Sequence, residues 1–241
     1  MLIEFRNIKK RYKKKFVLSD VSFGIEEGEI FGLIGQSGSG KTTLLKILTG
    51  ISSINGGEVF FENKNALHNL KNLRKNIGFA TQANSLFEEL TVIENCFYFA
   101  KLYSIKKREI KNRLEELLPL LGLKDYENYL IRNLSGGMIK RANLLVSLIH
   151  NPRLLILDEP TAGLDPILRK SIWEYINKIN KNGTTILVTS HLLDEIESNC
   201  NRIAVLKSGE VISIMSPAEY RRKFNLGPSE SFDKIFEEIL S

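Results

Sequence analysis

The sequence GQSGSGKT, from Gly35 to Thr42, has the spacing G-x-x-x-x-G-K-[ST] of a phosphate-binding loop. Its glycines allow backbone N–H groups to wrap closely around a β-phosphate, which larger side chains would prevent. Lys41 can neutralise β- and γ-phosphate oxygens, and the hydroxyl of Thr42 can ligate Mg²⁺. An apolar stretch precedes this sequence and a helical pattern follows it, so it predicts a nucleotide site between a strand and a helix.

A pair of carboxylates follows the apolar run LLILD, at Asp158 and Glu159. We expect Asp158 to emerge where the phosphate loop does and to hold Mg²⁺ through water. Glu159 could then polarise a water for attack on a γ-phosphate, and general-base assistance of this kind is worth about 10²–10⁴ in rate. The alternative is a solvated acidic strand end, which would be preferred if the chain had no phosphate loop.

Two other segments of the sequence could also contact a phosphate group. The apolar run TILVTS ends at His191, where open α/β sheets bind their ligands, so this imidazole could contact a γ-phosphate and report its presence. A structural histidine is the alternative. NLSGGMIKRAN places Ser135, Gly136 and Gly137 before a helical pattern, and a helix N-terminus offers free N–H groups and partial positive charge. The chain therefore has a second anion-binding feature.

The surrounding patterns predict an α/β fold. The segments LIEFRNIKK and VLSDVSFGIEEGEIFGLIG alternate apolar and polar residues, which predicts antiparallel strands joined by short turns such as EEGE. TTLLKILTG predicts a helix that ends at Gly50. Residues from about 84 to 150 have helical spacing and predict a helical insert. The runs LLILD and TTILVTS predict buried parallel strands, and ILRKSIWEYINKIN predicts the helix between them.

The remaining patterns concern the tail and the composition. Residues from about 216 to 241 predict a short helical tail with an apolar stripe. The favoured interpretation is that this stripe packs on its own domain, and the alternative is that it binds a partner.

The 241 residues contain no apolar run near the roughly 18–20 residues of a transmembrane helix. Cys96 and Cys200 are too few for a disulfide framework, so we expect reduced thiols in the cytoplasm. The cluster Lys9–Lys15 is either a solvated loop or a patch for nucleic acid or anionic lipid.

Taken together and in this order, the motifs resemble the nucleotide-binding subunit of an ATP-binding cassette (ABC) transporter over nearly the whole chain. ATQ resembles the Q-loop, with Gln82 as its glutamine, and LSGGM resembles the family signature at Leu134 to Met138. LLILDE resembles the Walker B strand, AGLD resembles the D-loop ending in Asp165, and TSH carries the switch histidine, His191. Tyr12 falls where the family has an aromatic residue that stacks on adenine.

The resemblance implies one ABC ATPase domain over residues 1–241, with a phosphate-loop core. The residues implied for ATP binding are Tyr12, Gly35, Gln36, Ser37, Gly38, Ser39, Gly40, Lys41, Thr42, Thr43, Gln82 and Asp158. Mg²⁺ would be held by Thr42, Gln82 and, through water, Asp158. The implied catalytic residues are Glu159, His191 and Lys41. In this family two subunits pack head to tail around two ATP molecules, and the residues implied to act on the partner's ATP are Ser135, Gly136, Gly137 and Asp165.

The resemblance also implies partners. The transmembrane permease would be a separate polypeptide that contacts ANSLFEELTVIEN, and the second cassette would be another copy of this chain or a related one. The chain would then lie at the cytoplasmic face of the cell membrane, and Met138 in the signature favours export.

A soluble ABC ATPase that acts on nucleic acid or ribosomes is the alternative function. Such proteins usually carry two cassettes in one chain, a long coiled coil that splits the domain, or iron–sulfur cysteines. None is present in this sequence, so we expect no nucleic-acid partner. A kinase or GTPase would lack LSGGM, and the transported substrate is not identified.

Overall fold

In a computed structural model, which describes residues 1–227 and 230–240, the chain divides into two compact units. Unit 1 contains Met1–Arg74 and Thr185–Ser241, and unit 2 contains Lys75–Thr184. Parts of the predicted C-terminal tail, at 228–229 and 241, lie outside the described residues.

Unit 1 contains most of the strands. They are β1 (Ile3–Tyr12), β2 (Lys15–Ile25), β3 (Ile30–Ile34), β4 (Gly56–Phe61), β5 (Lys64–Asn65), β8 (Thr185–Thr189), β9 (Arg202–Lys207) and β10 (Glu210–Met215). Its helices are α1 (Lys41–Leu48), α2 (Leu70–Lys75, which ends at the first residue of unit 2), α7 (Leu193–Asn199), α8 (Pro217–Lys223) and α9 (Asp233–Leu240).

Unit 2 contains the other elements. They are β6 (Ile77–Ala80), α3 (Val92–Leu102), α4 (Lys107–Leu120), α5 (Gly136–Leu148), β7 (Leu154–Asp158) and α6 (Pro166–Lys181). The helices predicted from TVIENCFYFAKLYSI, from KREIKNRLEELLPLLGL and from the stretch after LSGG are confirmed as α3, α4 and α5.

The strands of unit 1 lie in the order β5-β4-β1-β2-β10-β9-β3-β8. β1 and β2 pair antiparallel, as predicted, and β4 pairs antiparallel with β1, whereas β9, β3 and β8 pair parallel. The prediction that EEGE joins two antiparallel neighbours is wrong, because β10 and β9 lie between β2 and β3. All five residues of β3 are buried, as expected for a parallel strand covered on both faces.

The basic cluster Lys9–Lys15 is mostly strand rather than loop. β1 and β2 form a hairpin in which Tyr12 lies opposite Lys15. Only Lys13 and Lys14 form the turn, and Lys13 adopts a φ of +54°.

The C-terminal segment packs on unit 1 itself, which confirms the favoured interpretation of its apolar stripe. Phe232 and Ile235 are each 2% exposed. The ring of Phe232 meets that of Tyr220 edge to face at 5.9 Å, and the hydroxyl of Tyr220 donates to the carbonyl of Ile203 in β9. The apolar face of α9 is therefore largely occupied within the fold.

Unit 2 places its helices around a parallel strand pair. β6 and β7 run in register from Ile77↔Leu154 to Ala80↔Leu157, and α5 packs on β6, α3 and α6. α3 begins with a capping box in which Thr91 and Glu94 bond each other's backbone N–H groups. Asn95 is fully buried and bonds the N–H and the carbonyl of Phe87, so it anchors the segment that follows Gln82.

Candidate nucleotide-binding site

The phosphate loop of unit 1 joins β3 to α1. Gly40 has a φ of +114°, and a Cβ atom there would lie 2.6 Å from a methyl group of Leu18. Gly38 also requires the left-handed region, at φ +79°, but open space surrounds it. The loop therefore presents bare backbone to solvent at Gly38, where a ligand can approach closely.

The N-terminus of α1 is suited to an anion. It has no side-chain cap, and its first turn contains no acidic residue, so its N–H groups and partial positive charge face the loop. The ammonium group of Lys41 donates to the carbonyls of Gly35 at 2.6 Å and Gln36 at 3.2 Å. Ser39 is buried, and its Oγ has no hydrogen-bond partner among the described residues.

The other predicted side chains of the loop are more accessible. Gln36, Ser37 and Thr42 are exposed, and Thr43 is half-buried. The loop therefore offers hydroxyl groups and backbone N–H groups to a ligand from its solvent side.

His191 leaves the same end of the unit 1 sheet as the phosphate loop. β8 is parallel to β3, with Leu33 opposite Thr189, and His191 follows two residues after β8. Its side chain is exposed. The carboxyl ends of parallel strands are where open α/β sheets bind ligands, and His191 and the loop share this end of the sheet.

Tyr12 ends β1 and is 47% exposed. The ammonium group of Lys10 lies 4.9 Å from the centre of this ring and donates to the carbonyl of Ser53 at 2.5 Å. The Tyr12 hydroxyl lies 3.3 Å from Oγ of Ser52. The ring is therefore held at two points while much of it stays accessible for stacking.

In unit 2, Gln82 and Glu159 follow neighbouring parallel strands. Ala80 of β6 lies opposite Leu157 of β7, and each functional residue comes two positions later. Nε2 of Gln82 lies 3.4 Å from Oε2 of Glu159, which is long for a hydrogen bond. Asp158 ends β7 and is half-buried, and Glu159 has a φ of +50°, a conformation that is uncommon for residues other than glycine.

The signature sequence begins α5. Ser135 is the N-cap, and its Oγ accepts the N–H of Met138 at 3.3 Å. A Cβ atom on Gly137 would lie 3.1 Å from a methyl group of Leu168 in α6, whereas a Cβ on Gly136 would meet nothing within 4 Å. Packing explains Gly137, but no described neighbour requires a glycine at position 136.

Asp165 caps α6. Its Oδ1 accepts the N–H groups of Ile167 and Leu168, each at 3.0 Å, and Pro166 occupies the first helical turn. The side chain is exposed, so the predicted D-loop residue has a structural role at a helix N-terminus as well as an accessible surface.

A family model described as ABC transporter matches residues 18–162 of the chain. The chain belongs to the ABC transporter family. Among its relatives, the linearmycin resistance ATP-binding protein LnrL of Bacillus subtilis (strain 168) is 36% identical over 213 residues, which are 88% of this chain and 68% of that protein. The methionine import ATP-binding protein MetN of Clostridioides difficile (strain 630) is 39% identical over 218 residues, with the same two shares.

A solved structure agrees with this assignment. The dimeric post-hydrolysis state of the ATP-binding cassette MJ0796, bound to ADP and Pi, superposes with a TM-score of 0.78 and 30% identity, covering 90% of this chain and 99% of that one. The predicted ABC ATPase fold and the predicted family are thus confirmed. The protein is an ATP-binding subunit of an ABC transporter and an ATPase.

Sequence reasoning missed two lysines of this ABC cassette that contact its candidate functional residues. Lys10 meets the ring of Tyr12 beside a shift in the β1–β2 register between Lys10 and Arg11, so strand alternation does not indicate the contact. Lys140 donates to the backbone carbonyl of Gln82 at 2.8 Å. No sequence pattern indicates that contact, because it joins α5 to a loop 58 residues earlier.

Metal-ligand clusters and membrane-spanning helices are both absent from the described residues of the cassette. Within residues 1–227 and 230–240, no group of three or more His, Cys, Asp or Glu side chains is placed to hold a metal ion. In the same part of the chain, no helix combines the length and the apolar character needed to cross a membrane.

Proposed function

We propose that this subunit hydrolyses Mg-ATP to drive export through a separate membrane permease. The observation that carries the proposal is the uncapped N-terminus of α1 beneath a phosphate loop that contains Lys41. Free N–H groups, a helix dipole and an ammonium group form a site for a polyphosphate. Binding of phosphate oxygens at Lys41 would replace the two carbonyl contacts that its ammonium group now makes.

In unit 1, Lys41 neutralises the β- and γ-phosphates, and the loop from Gly35 to Thr43 supplies N–H groups and hydroxyls. Tyr12 stacks on the adenine, which its half-exposed ring supports. His191 contacts the γ-phosphate, in agreement with its position at the same end of the sheet as the loop.

In unit 2, Glu159 acts as the general base on the attacking water, and Gln82 takes part in metal binding. The 3.4 Å separation between their side chains, although long for a hydrogen bond, supports a joint role. Asp158 holds the metal through water. Mg²⁺ fits this donor set, because it is usually bound by one or two carboxylates together with phosphates and waters rather than by an all-protein cage. In unit 1, the hydroxyl of Thr42 is the proposed metal ligand.

A second cassette, either another copy of this chain or a related one, completes each ATP site. Ser135 and the N–H of Gly137 cap the γ-phosphate held by the partner, and Gly136 and Asp165 face the same nucleotide. The open space at Gly136 supports close approach of an external ligand. The dimeric state of the related cassette agrees with this arrangement.

The transporter partner is a separate permease that contacts the segment after Gln82, and the cassette lies on the cytoplasmic face of the membrane. Met138 in the signature supports export. The relatives include an import protein as well as a resistance protein, so transport direction requires its own measurement. The alternative function, on nucleic acid or ribosomes, has no supporting observation in the site.

The first experiment tests nucleotide chemistry with Lys41→Ala and, as a matched control on the same helix, the exposed Lys46→Ala. The wild type and Lys46→Ala are expected to hydrolyse ATP in the presence of Mg²⁺ and to stop when the metal is chelated. Lys41→Ala is expected to be inactive. Robust hydrolysis by Lys41→Ala, or turnover without a divalent cation, would contradict the proposal.

The second experiment tests the partner and the direction. Affinity-tagged chain is recovered from solubilised membranes and probed for a polytopic membrane protein encoded by a neighbouring gene. In inside-out vesicles, externally added ATP should drive substrate into the lumen if the transporter exports. Uptake only in the opposite orientation would indicate import, and co-sedimentation with ribosomes instead of membranes would support the alternative function.

A further inference from the structure

Helix α5 holds two successive carbonyl groups of the loop that follows β6. Nζ of Lys140 donates to the carbonyl of Gln82 at 2.8 Å, and Nδ2 of Asn143 donates to the carbonyl of Thr81 at 3.3 Å. The two donors are three residues apart and therefore lie on one face of α5. This helix begins at the signature serine, Ser135.

The two contacts differ in their exposure to solvent, because the Asn143 contact is partly buried whereas the Lys140 contact is exposed. Asn143 is 4% exposed, and Lys140 is half-buried. The cavity beside them has a volume of only about 10 Å³, which accommodates one water at most. Burial also lowers the pKa of Lys140. The bond from Lys140 to the Gln82 carbonyl, together with the bond from the buried Asn143 to the Thr81 carbonyl, constrains the loop.

The rest of the loop is fixed locally, while the side chain of Gln82 remains exposed. The hydroxyl of Thr81 donates to the carbonyl of Ala83 at 2.6 Å and lies 2.8 Å from Oγ of Ser85. With its backbone held by α5, Gln82 extends its amide to within 3.4 Å of Glu159. Gln82 therefore links α5 to the carboxylate of Glu159, because its backbone contacts Lys140 and its side chain lies near Glu159.

We propose that Lys140, assisted by Asn143, is a positioning residue that sets the distance between Gln82 and Glu159. A shift of the signature helix would then move Gln82 relative to the general base. The inference rests on the proposed roles of Gln82 and Glu159 in hydrolysis, and it assigns Lys140 no contact with ATP.

The test compares Lys140→Met, which removes the donor, with Lys140→Arg, which keeps a cation, and with Lys111→Met, an exposed lysine on α4. MgATP turnover is measured with the purified chain, or with its permease complex if the chain alone is inactive. Lys140→Met should lower kcat about ten- to a hundredfold, with the KM and the Kd for ATP changed less than about twofold. Lys140→Arg should recover most of the turnover, and Lys111→Met should match the wild type.

A double-mutant cycle with Gln82→Ala separates positioning from a general structural role. If Lys140 acts through the Gln82 side chain, the double variant should be no slower than Gln82→Ala alone. Independent, multiplicative losses, or normal kcat in Lys140→Met, would overturn the inference while leaving the proposed function intact. Full turnover by Gln82→Ala would instead overturn the proposed role of Gln82, and with it the inference.

Thermal melting of every variant accompanies the kinetics. If Lys140→Met does not fold, Lys140→Gln, which keeps a shorter donor, takes its place in the same cycle. A loss of kcat in a variant whose melting temperature equals that of Lys111→Met supports positioning. If kcat falls only together with the melting temperature, in both Lys140→Met and Lys140→Gln, the result contradicts the positioning role of Lys140.

Discussion

Glu29 and Arg202 are 173 residues apart in the chain and meet in a two-pronged ion pair. Nε and Nη2 of Arg202 donate to the two carboxylate oxygens of Glu29 at 2.9 and 2.6 Å. Arg202 also donates to the carbonyl of Gly24 at 2.9 Å, and Glu29 accepts the N–H of Glu26 at 2.6 Å. The pair fixes the start of β9 beside the residue that precedes β3, the strand that leads into the phosphate loop.

Glu29→Ala is expected to lower the free energy of unfolding by about 1–3 kcal/mol. Removing one partner of a fully buried ion pair costs about 3–5 kcal/mol, but the side chain of Arg202 is 35% exposed, so water screens part of the loss. Chemical denaturation measures the change. Glu210→Ala, an exposed carboxylate of the same unit, is the control, and an equal effect in both variants would remove the special role of the pair.

His150 is an imidazole enclosed within unit 2. Its ring stacks on Tyr103 at a centroid distance of 3.8 Å, and Nε2 lies 2.8 Å from the carbonyl of Ile77. Nδ1 is buried and has no hydrogen-bond partner in the described part of the chain. Burial, with a smaller effect from the charge of Arg113, lowers the pKa of His150 from 6.5 to about 4.

This shift predicts that stability falls as the pH drops from about 6.5 towards 4. In that window the unfolded chain binds a proton at His150 that the folded chain does not, so the free energy of unfolding rises with pH. His150→Gln should flatten the dependence of melting temperature on pH in this window, whatever its effect at pH 7. The same slope in wild type and variant would show that another group causes the acid sensitivity.

The parts of the structure that could be predicted from the sequence are those in which local pattern and environment agree. The apolar run at β7 and the phosphate loop after β3 are recognisable because each motif is contiguous. The order of the strands could not be predicted in the same way. β2 and β3 are neighbours in sequence, yet the C-terminal strands β9 and β10 lie between them, and the turn EEGE carries no sign of this insertion.

Contacts between residues far apart in the chain also could not be predicted from the sequence. Glu29 and Arg202, or Lys140 and the carbonyl of Gln82, are brought together by packing rather than by spacing. An unbroken apolar run in the sequence did indicate a buried parallel strand, because IFGLI at β3 is as apolar as LLILD at β7. Applied to both, the criterion would have placed β3 among the parallel strands.

Tyr12→Ala is expected to weaken ATP binding by about 1–3 kcal/mol, the magnitude of base–aromatic stacking. Tyr12→Phe and Tyr12→Trp should bind almost normally, because the ring matters more than the hydroxyl contact with Ser52. Fluorescence titration with a nucleotide analogue measures the affinities. Phe16→Ala removes another exposed aromatic of the same hairpin and should change little, whereas unchanged affinity in Tyr12→Ala would leave Tyr12 as a hairpin residue only.

Glu159→Gln is expected to bind ATP but to lower turnover by about 10²–10⁴, because the amide keeps the shape of the side chain without its basicity. The ATP-bound dimer should then accumulate and be visible by size exclusion, while Glu174→Gln, an exposed position on α6, behaves as the wild type. If the variant stays monomeric, turnover is compared in the complex with the permease, and normal turnover there would exclude Glu159 as the base.

The shared ATP site predicts that two inactive variants complement each other. In a homodimer of Lys41→Ala, or one of Ser135→Arg, both composite sites are damaged. In the mixed dimer both lesions fall in one site, and the other combines an intact Lys41 with an intact Ser135. Mixing should therefore restore ATP-dependent association, which size exclusion or light scattering detects, whereas each variant alone should remain monomeric with ATP.

Association decides this test because hydrolysis can fail for a separate reason, namely coupling between the two sites. If Lys41 and Ser135 acted on one ATP within a single chain, every site in the mixture would contain one lesion and mixing would restore nothing. Ser135→Ala serves as a milder variant, since it removes the hydroxyl without adding the bulk and charge of arginine at the N-terminus of α5. Failure of the mixture to associate, while wild type associates in parallel, would show that the signature does not act on the partner's nucleotide.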